Sequence, residues 1–462
     1  LQIHGEWEMR EESRMARETF TSHLGLIATM IGVAVGLGNV WRFPYMVGRF
    51  GGAAFVLVYL LLALVIGVPA LMAEWSLGRH TRRGSVGAFE AAGLPGGRQL
   101  GWLFFLAVTA ATGYYSTAIG WVIYHALGQS AALFGSEFDP SGILPPEKGF
   151  SGSALGLQLM FTSLVILGCV AVLLRGLRSG IERVSSVITP LLFVILLVLV
   201  VRGLTLPNAA AGVSWFFLKF EFGDLSAAVV LAALGQVVFS LALGGTFMVV
   251  YGSYLDDNES LRASAVWTVL GDTAAGLLAG LAIFPAVFAL GLEPGTGPGL
   301  IFETLPRVFD QMPAGHVFGL LFFSALAGAA YLSAVAAFEV LVVGLTDNTD
   351  LGRQPATWWV AGAVLLSALP PMINLQIFIP WDLTFGTGFQ TFGALVAALT
   401  VGWALNRADA LRQLSEEPVT ETNRSDSTHF LYLWIRFVVP SAIMAVGAWW
   451  LLTEVLEVVG AP

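Results

Sequence analysis

The sequence predicts an all-α protein that crosses a membrane many times. Of its 462 residues, 56% are hydrophobic and only 11% are charged, which is too few charges to cover a water-soluble globule of this size. The apolar residues form runs of the roughly 17–25 residues that a membrane-spanning helix needs. Two of these runs are interrupted by glycine and polar residues, which predicts helices that break at membrane depth. We therefore expect a polytopic helical bundle with an interior binding site.

Eleven apolar runs predict eleven transmembrane helices. They cover residues 24–45, 53–75, 100–126, 155–174, 187–201, 227–251, 266–290, 317–345, 358–373, 389–405 and 430–452. The predicted organisation is an N-terminal cytoplasmic segment (1–23), a core of two five-helix halves (24–406, with halves at about 24–203 and 226–406), a cytoplasmic loop (407–429), and an eleventh helix with a tail (430–462).

The distribution of basic residues predicts the orientation. The first twenty residues are charged and lack the apolar core of a signal peptide, so we expect a cytoplasmic N-terminus. With this orientation most Lys and Arg residues fall on the cytoplasmic side, as the positive-inside rule requires. Eleven spans then place the C-terminus outside, and the chain fits a multi-pass protein of a bacterial inner membrane.

Composition excludes several other classes. A net charge of −9 provides no basic surface for nucleic acid. A single cysteine, Cys169, builds neither a disulfide framework nor a Cys-rich metal site. An intramembrane hydrolase needs paired Asp residues, a Ser/His pair or a His/Glu metal motif inside the spans, and a channel needs repeated rings of polar residues. Neither pattern occurs, so no enzymatic activity is expected.

Spans one and six carry the two interruptions. Residues 32–44 read GVAVGLGNVWRFP and residues 235–246 read GQVVFSLALGGT. Gly32 alone is also compatible with close helix packing, but Asn39 and Arg42 at membrane depth favour a polar cavity. A broken helix at the first position of each half is typical of inverted-repeat transporters, in which freed amides bind a carboxylate and freed carbonyls a cation.

The motifs around these breaks resemble the neurotransmitter:sodium symporter family in its bacterial amino-acid-transporting branch. The segment GLGNVWRFPY at 36–45, Gly51-Gly52, Pro69 with Glu74, and LTLP at 204–207 are specific for that family. The resemblance covers nearly the whole chain. It implies a LeuT-type 5+5 inverted repeat with discontinuous helices 1 and 6, Na⁺ as the coupling ion, and alternating access.

The resemblance implies two sodium sites. The first uses Ala34, Asn39, Ser240 and Asp272. A lone carboxylate inside a span must be paired, ion-bound or protonated, unless Asp272 lies at a helix end. Chloride-dependent relatives hold an anion near positions matching Tyr59, Gln236, Ser240 and Gly276; with Asp272 supplying the charge, we expect chloride independence. The second site uses Gly32, Val35, Ala329 and Ser333, but Leu332 replaces its remaining side-chain ligand. Ser333 is also compatible with simple helix packing.

The resemblance also implies a substrate site lined by Val33, Ala34, Gly36, Gly38, Ala111, Tyr115, Phe239, Ser240, Ala242, Gly245, Ser333 and Ala337. Glycine at position 36 leaves room for a substrate carboxylate near Tyr115 and the amides around Gly36 and Gly38. Small residues, above all Gly245, predict a wide apolar pocket for a bulky side chain.

Charged residues match the gates of the family. Arg42 and Asp382 correspond to the outer ion pair, although Asp382 is also placed to cap a helix. The inner latch is matched by Arg17, Phe20, Ser253, Tyr254 and Asp347. The expected function is Na⁺-coupled import of a neutral, bulky hydrophobic or aromatic amino acid. The alternatives are a transporter coupled to a single Na⁺ or to H⁺, another small zwitterion as substrate, or a transport-inactive sensor.

Overall fold

The structure is a computed structural model that describes residues 18–136, 138–291, 300–415 and 426–455. Its main elements are helices. They are α1 (His23–Ala34), α2 (Gly38–Phe50), α3 (Ala53–Thr81), α4 (Gly97–Leu133), α5 (Gly152–Leu173), α6 (Leu177–Leu204), α7 (Ala209–Phe217), α8 (Ala227–Ser240), α9 (Phe247–Gly252), α10 (Leu261–Ala289), α11 (Leu305–Gln311), α12 (Gly315–Thr346), α13 (Arg353–Ala368), α14 (Leu375–Ala404), α15 (Arg407–Leu414) and α16 (Asp426–Thr453).

The all-α polytopic fold is confirmed. Within the described ranges, eight helices are long and apolar enough to cross a membrane, and α1 with α2 forms a ninth such span with a bend of 56°. The predicted span six corresponds to the separate helices α8 and α9, and span nine to the 16-residue helix α13. The total of eleven spans stays a prediction, because α8 is short and α13 does not meet the same criterion of length and hydropathy.

The predicted loop at 407–429 is partly helical. The Asn406 side chain accepts a hydrogen bond from the Ala408 amide and caps α15. Three buried residues, Ala410, Leu411 and Leu414, anchor this helix to the bundle. The spacing of these residues is helical, but the many polar residues around them concealed the signal.

The outer surface of the bundle is apolar, as a lipid-facing surface must be. On α6 the exposed apolar residues recur every three or four positions and mark one face of the helix: Val187, Leu191, Val194, Val198 and Val201. The interior is built where α4 packs along α12, α1 against α6, and α8 against α3. These contacts surround the two interrupted helices.

Candidate functional site

The first break lies between α1 and α2. Helix α1 ends at Ala34, and Val35 is extended with φ −72° and ψ 118°. Gly36 is closely surrounded: a Cβ at this position would lie 2.6 Å from Ser333 Oγ and 2.7 Å from the Tyr115 hydroxyl. A larger residue at this position would therefore displace Ser333 or Tyr115, so glycine keeps the space beside the break open.

The second break lies between α8 and α9. Ala242, Gly244 and Thr246 all have positive φ angles, of 50°, 83° and 58°, which no α-helix can contain. The buried carboxylate of Glu74 on α3 stabilises this turn, because its Oε1 accepts a hydrogen bond of 2.7 Å from the Gly244 amide. Both interruptions predicted from the sequence are therefore present.

Asp272 lies between the two breaks and is completely buried on α10. Its Oδ1 accepts a 2.7 Å hydrogen bond from Asn39 Nδ2, and its Oδ2 accepts bonds from the Ser240 hydroxyl (2.7 Å) and the Tyr59 hydroxyl (3.3 Å). Asn39 Nδ2 also donates to Ser240 Oγ at 2.9 Å. Asp272 is thus no helix-end residue, and we call Asn39, Ser240, Asp272 and Tyr59 the Asp272 centre.

The Asp272 centre has the chemistry of a small cation site. Among the described residues, no Lys, Arg or His forms an ion pair with Asp272. A buried carboxylate without a cationic partner is costly. Ala34 ends α1, where helical carbonyls lack partners within the helix. One carboxylate with neutral oxygens suits a monovalent ion, and hard cations prefer oxygen ligands.

Of the residues expected at the second sodium site, Val35 and Ser333 are in contact. Ser333 Oγ donates to the carbonyls of Val33 (3.3 Å) and Val35 (3.2 Å). The Leu332 Cδ1 lies 2.9 Å from where a Cβ on Gly32 would stand. A methyl group therefore covers Gly32, where a further oxygen ligand would be needed. Occupancy of this site stays a prediction.

A cavity with about 100 Å³ of free volume adjoins the Asp272 centre. All the residues predicted to bind substrate line it, except Ser240, whose hydroxyl faces Asp272. Tyr115 accepts a 3.2 Å hydrogen bond from the Leu37 amide, and the Gly36 amide donates to Asn39 Oδ1 at 3.1 Å. Asn39 thus holds the Gly36 amide and Tyr115 the Leu37 amide, and the role of the amides around Gly36 and Gly38 in binding a carboxylate stays a prediction.

The expectation of open space at Gly245 was wrong. A Cβ on Gly245 would collide with the ring of Phe247, which fills this side of the cavity. Three positive-φ residues before α9 turn the chain so that the first residue of α9, Phe247, faces inward. The sequence offered a weak signal for this, an aromatic residue directly after the break.

Sequence reasoning also missed other residues that line the cavity, which include Phe104, Tyr114, Phe385, Phe389 and Gln390.

The predicted outer gate residues lie near the cavity but are not joined. The Arg42 guanidinium stacks over the Phe239 ring, 4.2 Å from its centroid, and Asp382 is hydrogen-bonded to Tyr114. No N···O distance of 4.0 Å or less joins Arg42 to Asp382 in the described part of the chain. Each residue instead contacts an aromatic residue that lines the cavity.

The inner latch residues lie at the opposite end. The rings of Phe20 and Tyr254 meet edge to face at 6.5 Å. Asp347 accepts a 2.7 Å hydrogen bond from the Gly84 amide, and the Ser253 carbonyl accepts one from Arg82. Arg17 lies outside the described residues, so its predicted role stays untested.

A buried ion pair beside the latch was missed by sequence reasoning. Glu339 on α12 is fully buried and accepts hydrogen bonds from two nitrogens of Arg353 and from the Tyr254 hydroxyl. Glu339 thus connects Arg353, at the start of α13, to Tyr254, which follows the end of α9. The signal was present, because Glu339 is a lone carboxylate in an apolar run, as Asp272 is.

Two broken helices with a cavity and a buried carboxylate between them are typical of a secondary transporter built around discontinuous helices. A model of the Sodium:neurotransmitter symporter family matches residues 17–132 and 149–454, and the chain belongs to that family. It is therefore a transporter and not an enzyme, as the sequence predicted.

Similar proteins cover nearly the whole chain. The chain is 33% identical to an uncharacterized sodium-dependent transporter of Bacillus subtilis (92% of this chain, 96% of the relative). It is 26% identical to the sodium-dependent dopamine transporter of Bos taurus (93% and 68%). The crystal structure of MhsT in complex with L-phenylalanine matches it with a TM-score of 0.78 and 33% identity, covering 93% of this chain and 99% of that one. The predicted LeuT-type fold is thus confirmed, and Na⁺ is the coupling ion of the family.

Proposed function

We propose that this protein is a symporter that couples Na⁺ entry to the import of a neutral amino acid with a bulky hydrophobic or aromatic side chain. The observation that carries the proposal is the double role of Asn39. Its Oδ1 holds the Gly36 amide at the cavity wall, and its Nδ2 binds Asp272. A cation that binds Asp272 would therefore lie beside the side chain that holds the Gly36 backbone at the cavity wall, which provides a route for coupling ion binding to substrate binding.

The lining of the cavity supports an amino acid as substrate. Gly36 brings no carboxylate that would repel the substrate's own, and the Tyr115 hydroxyl and nearby backbone supply polar partners. The rest of the wall is mainly apolar, with Phe104, Phe239 and Phe385 among its members. Such a wall favours an apolar side chain. L-phenylalanine, the ligand of the MhsT crystal structure, is the first candidate.

Equilibrium binding of labelled L-phenylalanine to the purified protein tests this function. We expect saturable binding in NaCl and none in KCl, with competition by Trp, Tyr, Leu and Met. Binding that needs acid pH instead of Na⁺ would favour the proton-coupled alternative, which the methyl group of Leu332 at Gly32 supports. Competition only by small zwitterions that are not amino acids would contradict the amino-acid assignment.

We propose that the protein lies in a bacterial inner membrane with the Phe20–Tyr254 end toward the cytoplasm.

Transport should not require chloride. Asp272 already receives hydrogen bonds from Tyr59 and Ser240, two positions where chloride-dependent relatives hold their anion. The fourth such position, Gly276, faces the Phe43 ring, which would lie 3.3 Å from a Cβ there. Uptake rates in sodium gluconate and in sodium chloride should therefore be equal. A loss of uptake in gluconate would contradict the view that Asp272 supplies the fixed charge.

Phe247 should set the size limit of the pocket. Because its ring occupies the space beside Gly245, Phe247→Ala should improve the binding of tryptophan relative to leucine. We expect this ratio of affinities to rise about tenfold, since filling or vacating such space changes binding by roughly 1–3 kcal/mol. Competition against labelled L-phenylalanine measures the ratio. Phe134→Ala, which removes an exposed ring outside the lining, is the control, and an equal change in both variants would contradict this role.

A further inference from the structure

A cluster of basic and aromatic side chains lies where α14 ends and α16 begins. Arg407 Nη2 lies 2.8 Å from His429 Nε2, and the Arg436 guanidinium lies 4.0 Å from the centroid of the Trp403 ring. The centroid of the Tyr432 ring is 5.9 Å from the Arg407 guanidinium and 6.0 Å from that of Arg436. We call Arg407, His429, Arg436, Trp403 and Tyr432 the α14–α16 cluster.

Within the described part of the chain, the cluster carries positive charge without a balancing carboxylate. In the ranges that the structure describes, no Asp or Glu oxygen lies within 4.0 Å of Arg407, His429 or Arg436. The Nε of Arg436 is buried and lacks a hydrogen-bond partner there. By contrast, the neighbouring Arg412 is paired with Asp409 at 3.4 Å. Two guanidinium groups that both lie about 6 Å from the centroid of one tyrosine ring favour an anion beside them.

The position of the cluster identifies the kind of anion. Trp403 and Phe437 are exposed and in contact with each other, as interfacial aromatic residues of membrane proteins are. Arg436 extends back along α16 to donate to the Tyr432 hydroxyl, as arginines do when they reach toward a headgroup layer. Helix α15 starts at Arg407. Arg79 donates a hydrogen bond to the Gln413 side chain on α15 and another to the backbone carbonyl of Glu259, in the loop after α9. The cluster is therefore on the same side of the bundle as the loop after α9.

We propose that the α14–α16 cluster binds the phosphate headgroup of an anionic phospholipid on the side of the membrane where the N-terminal segment lies. The arginines contact the phosphate oxygens, and the acyl chains lie along the apolar outer surface near Trp403 and Phe437. Basic pockets between transmembrane helices on the cytoplasmic side have this use in other membrane proteins. The site is separate from the substrate cavity, so the proposal stands independently of the proposed transport function.

Delipidated full-length protein in detergent provides the test. Phosphatidylglycerol should raise the thermal unfolding midpoint more than phosphatidylcholine does. The Arg407→Gln/Arg436→Gln variant should lose this difference and bind phosphatidylglycerol at least about tenfold more weakly. Arg412→Gln, which removes an arginine already paired on α15, is the matched control and should behave as wild type. An unchanged preference for phosphatidylglycerol in the double variant would overturn the proposal.

A second measurement uses single variants and so does not depend on folding of the double variant. Native mass spectrometry of wild type, Arg407→Gln and Arg412→Gln in equimolar lipid mixtures should show fewer retained phosphatidylglycerol molecules for Arg407→Gln only. Equal retention in all three proteins would overturn the site. Inorganic phosphate is the remaining arm: if it reproduces the stabilisation at the same concentration as phosphatidylglycerol, the anion is free phosphate and the lipid assignment is wrong.

Discussion

Asp272→Ala is expected to abolish Na⁺-dependent amino-acid uptake while the protein still folds. The substitution removes the carboxylate that Asn39, Ser240 and Tyr59 surround. Removing one member of a buried charged contact costs about 3–5 kcal/mol, which corresponds to roughly 100- to 4,000-fold in affinity. The loss should appear as a shift of the Na⁺ concentration needed for half-maximal binding of labelled L-phenylalanine.

Two further variants separate ion binding from folding. Asp272→Asn has the same shape but no charge, and it should preserve the elution volume and thermal stability of the protein while weakening Na⁺ binding. Asp409→Ala removes a carboxylate on α15 that is paired with Arg412 and is no part of the Asp272 centre, and it should leave uptake unchanged. If Asp272→Ala retained full Na⁺-driven uptake, Asp272 would have no part in ion binding.

Gly36→Ala is expected to lower the affinity for substrate about 10- to 100-fold. The new methyl group would lie 2.6 Å from Ser333 Oγ and 2.7 Å from the Tyr115 hydroxyl, in the space that we assign to the substrate carboxylate. Overpacking of this kind costs roughly 1–3 kcal/mol, and each 1.4 kcal/mol is about tenfold in affinity. Equilibrium binding of labelled L-phenylalanine at saturating Na⁺ measures the effect.

Gly156→Ala is the matched control for this substitution. Gly156 lies within α5, and a Cβ there would meet no atom within 4 Å. The Gly156→Ala variant should bind substrate as the wild type does, with equal or slightly higher stability because alanine is the better helix former. Wild-type affinity in Gly36→Ala would show that the substrate carboxylate lies elsewhere in the cavity.

The sequence was most informative where local chemistry dictates backbone conformation. Glycines and buried polar residues at 32–39 and 240–246 predicted both helix breaks, and the structure places both breaks there. Asp272 was implied by the family resemblance and stood out as a lone carboxylate in an apolar span, and its buried position agrees with that reasoning. Apolar length predicted the polytopic fold, since a bilayer imposes a simple rule on backbone hydrogen bonds.

The sequence was least informative where distant residues share one space. Phe247 fills the gap beside Gly245 because of the backbone turn at 242–246, which a list of residue sizes does not describe. The pairing of Glu339 with Arg353 depends on how α12 and α13 lie against each other. The distance between Arg42 and Asp382 is likewise set by the placement of α14 relative to α2. These are properties of helix packing, and one-dimensional spacing does not determine them.

Uptake into proteoliposomes under an imposed Na⁺ gradient tests the central claim most directly. Labelled L-phenylalanine should accumulate above equilibrium when Na⁺ is outside and K⁺ inside. The accumulation should vanish when the Na⁺ gradient is collapsed with an ionophore and be missing in Asp272→Ala. Equal accumulation under a pH gradient alone, or no dependence on Na⁺ in wild type, would contradict coupling through the Asp272 centre.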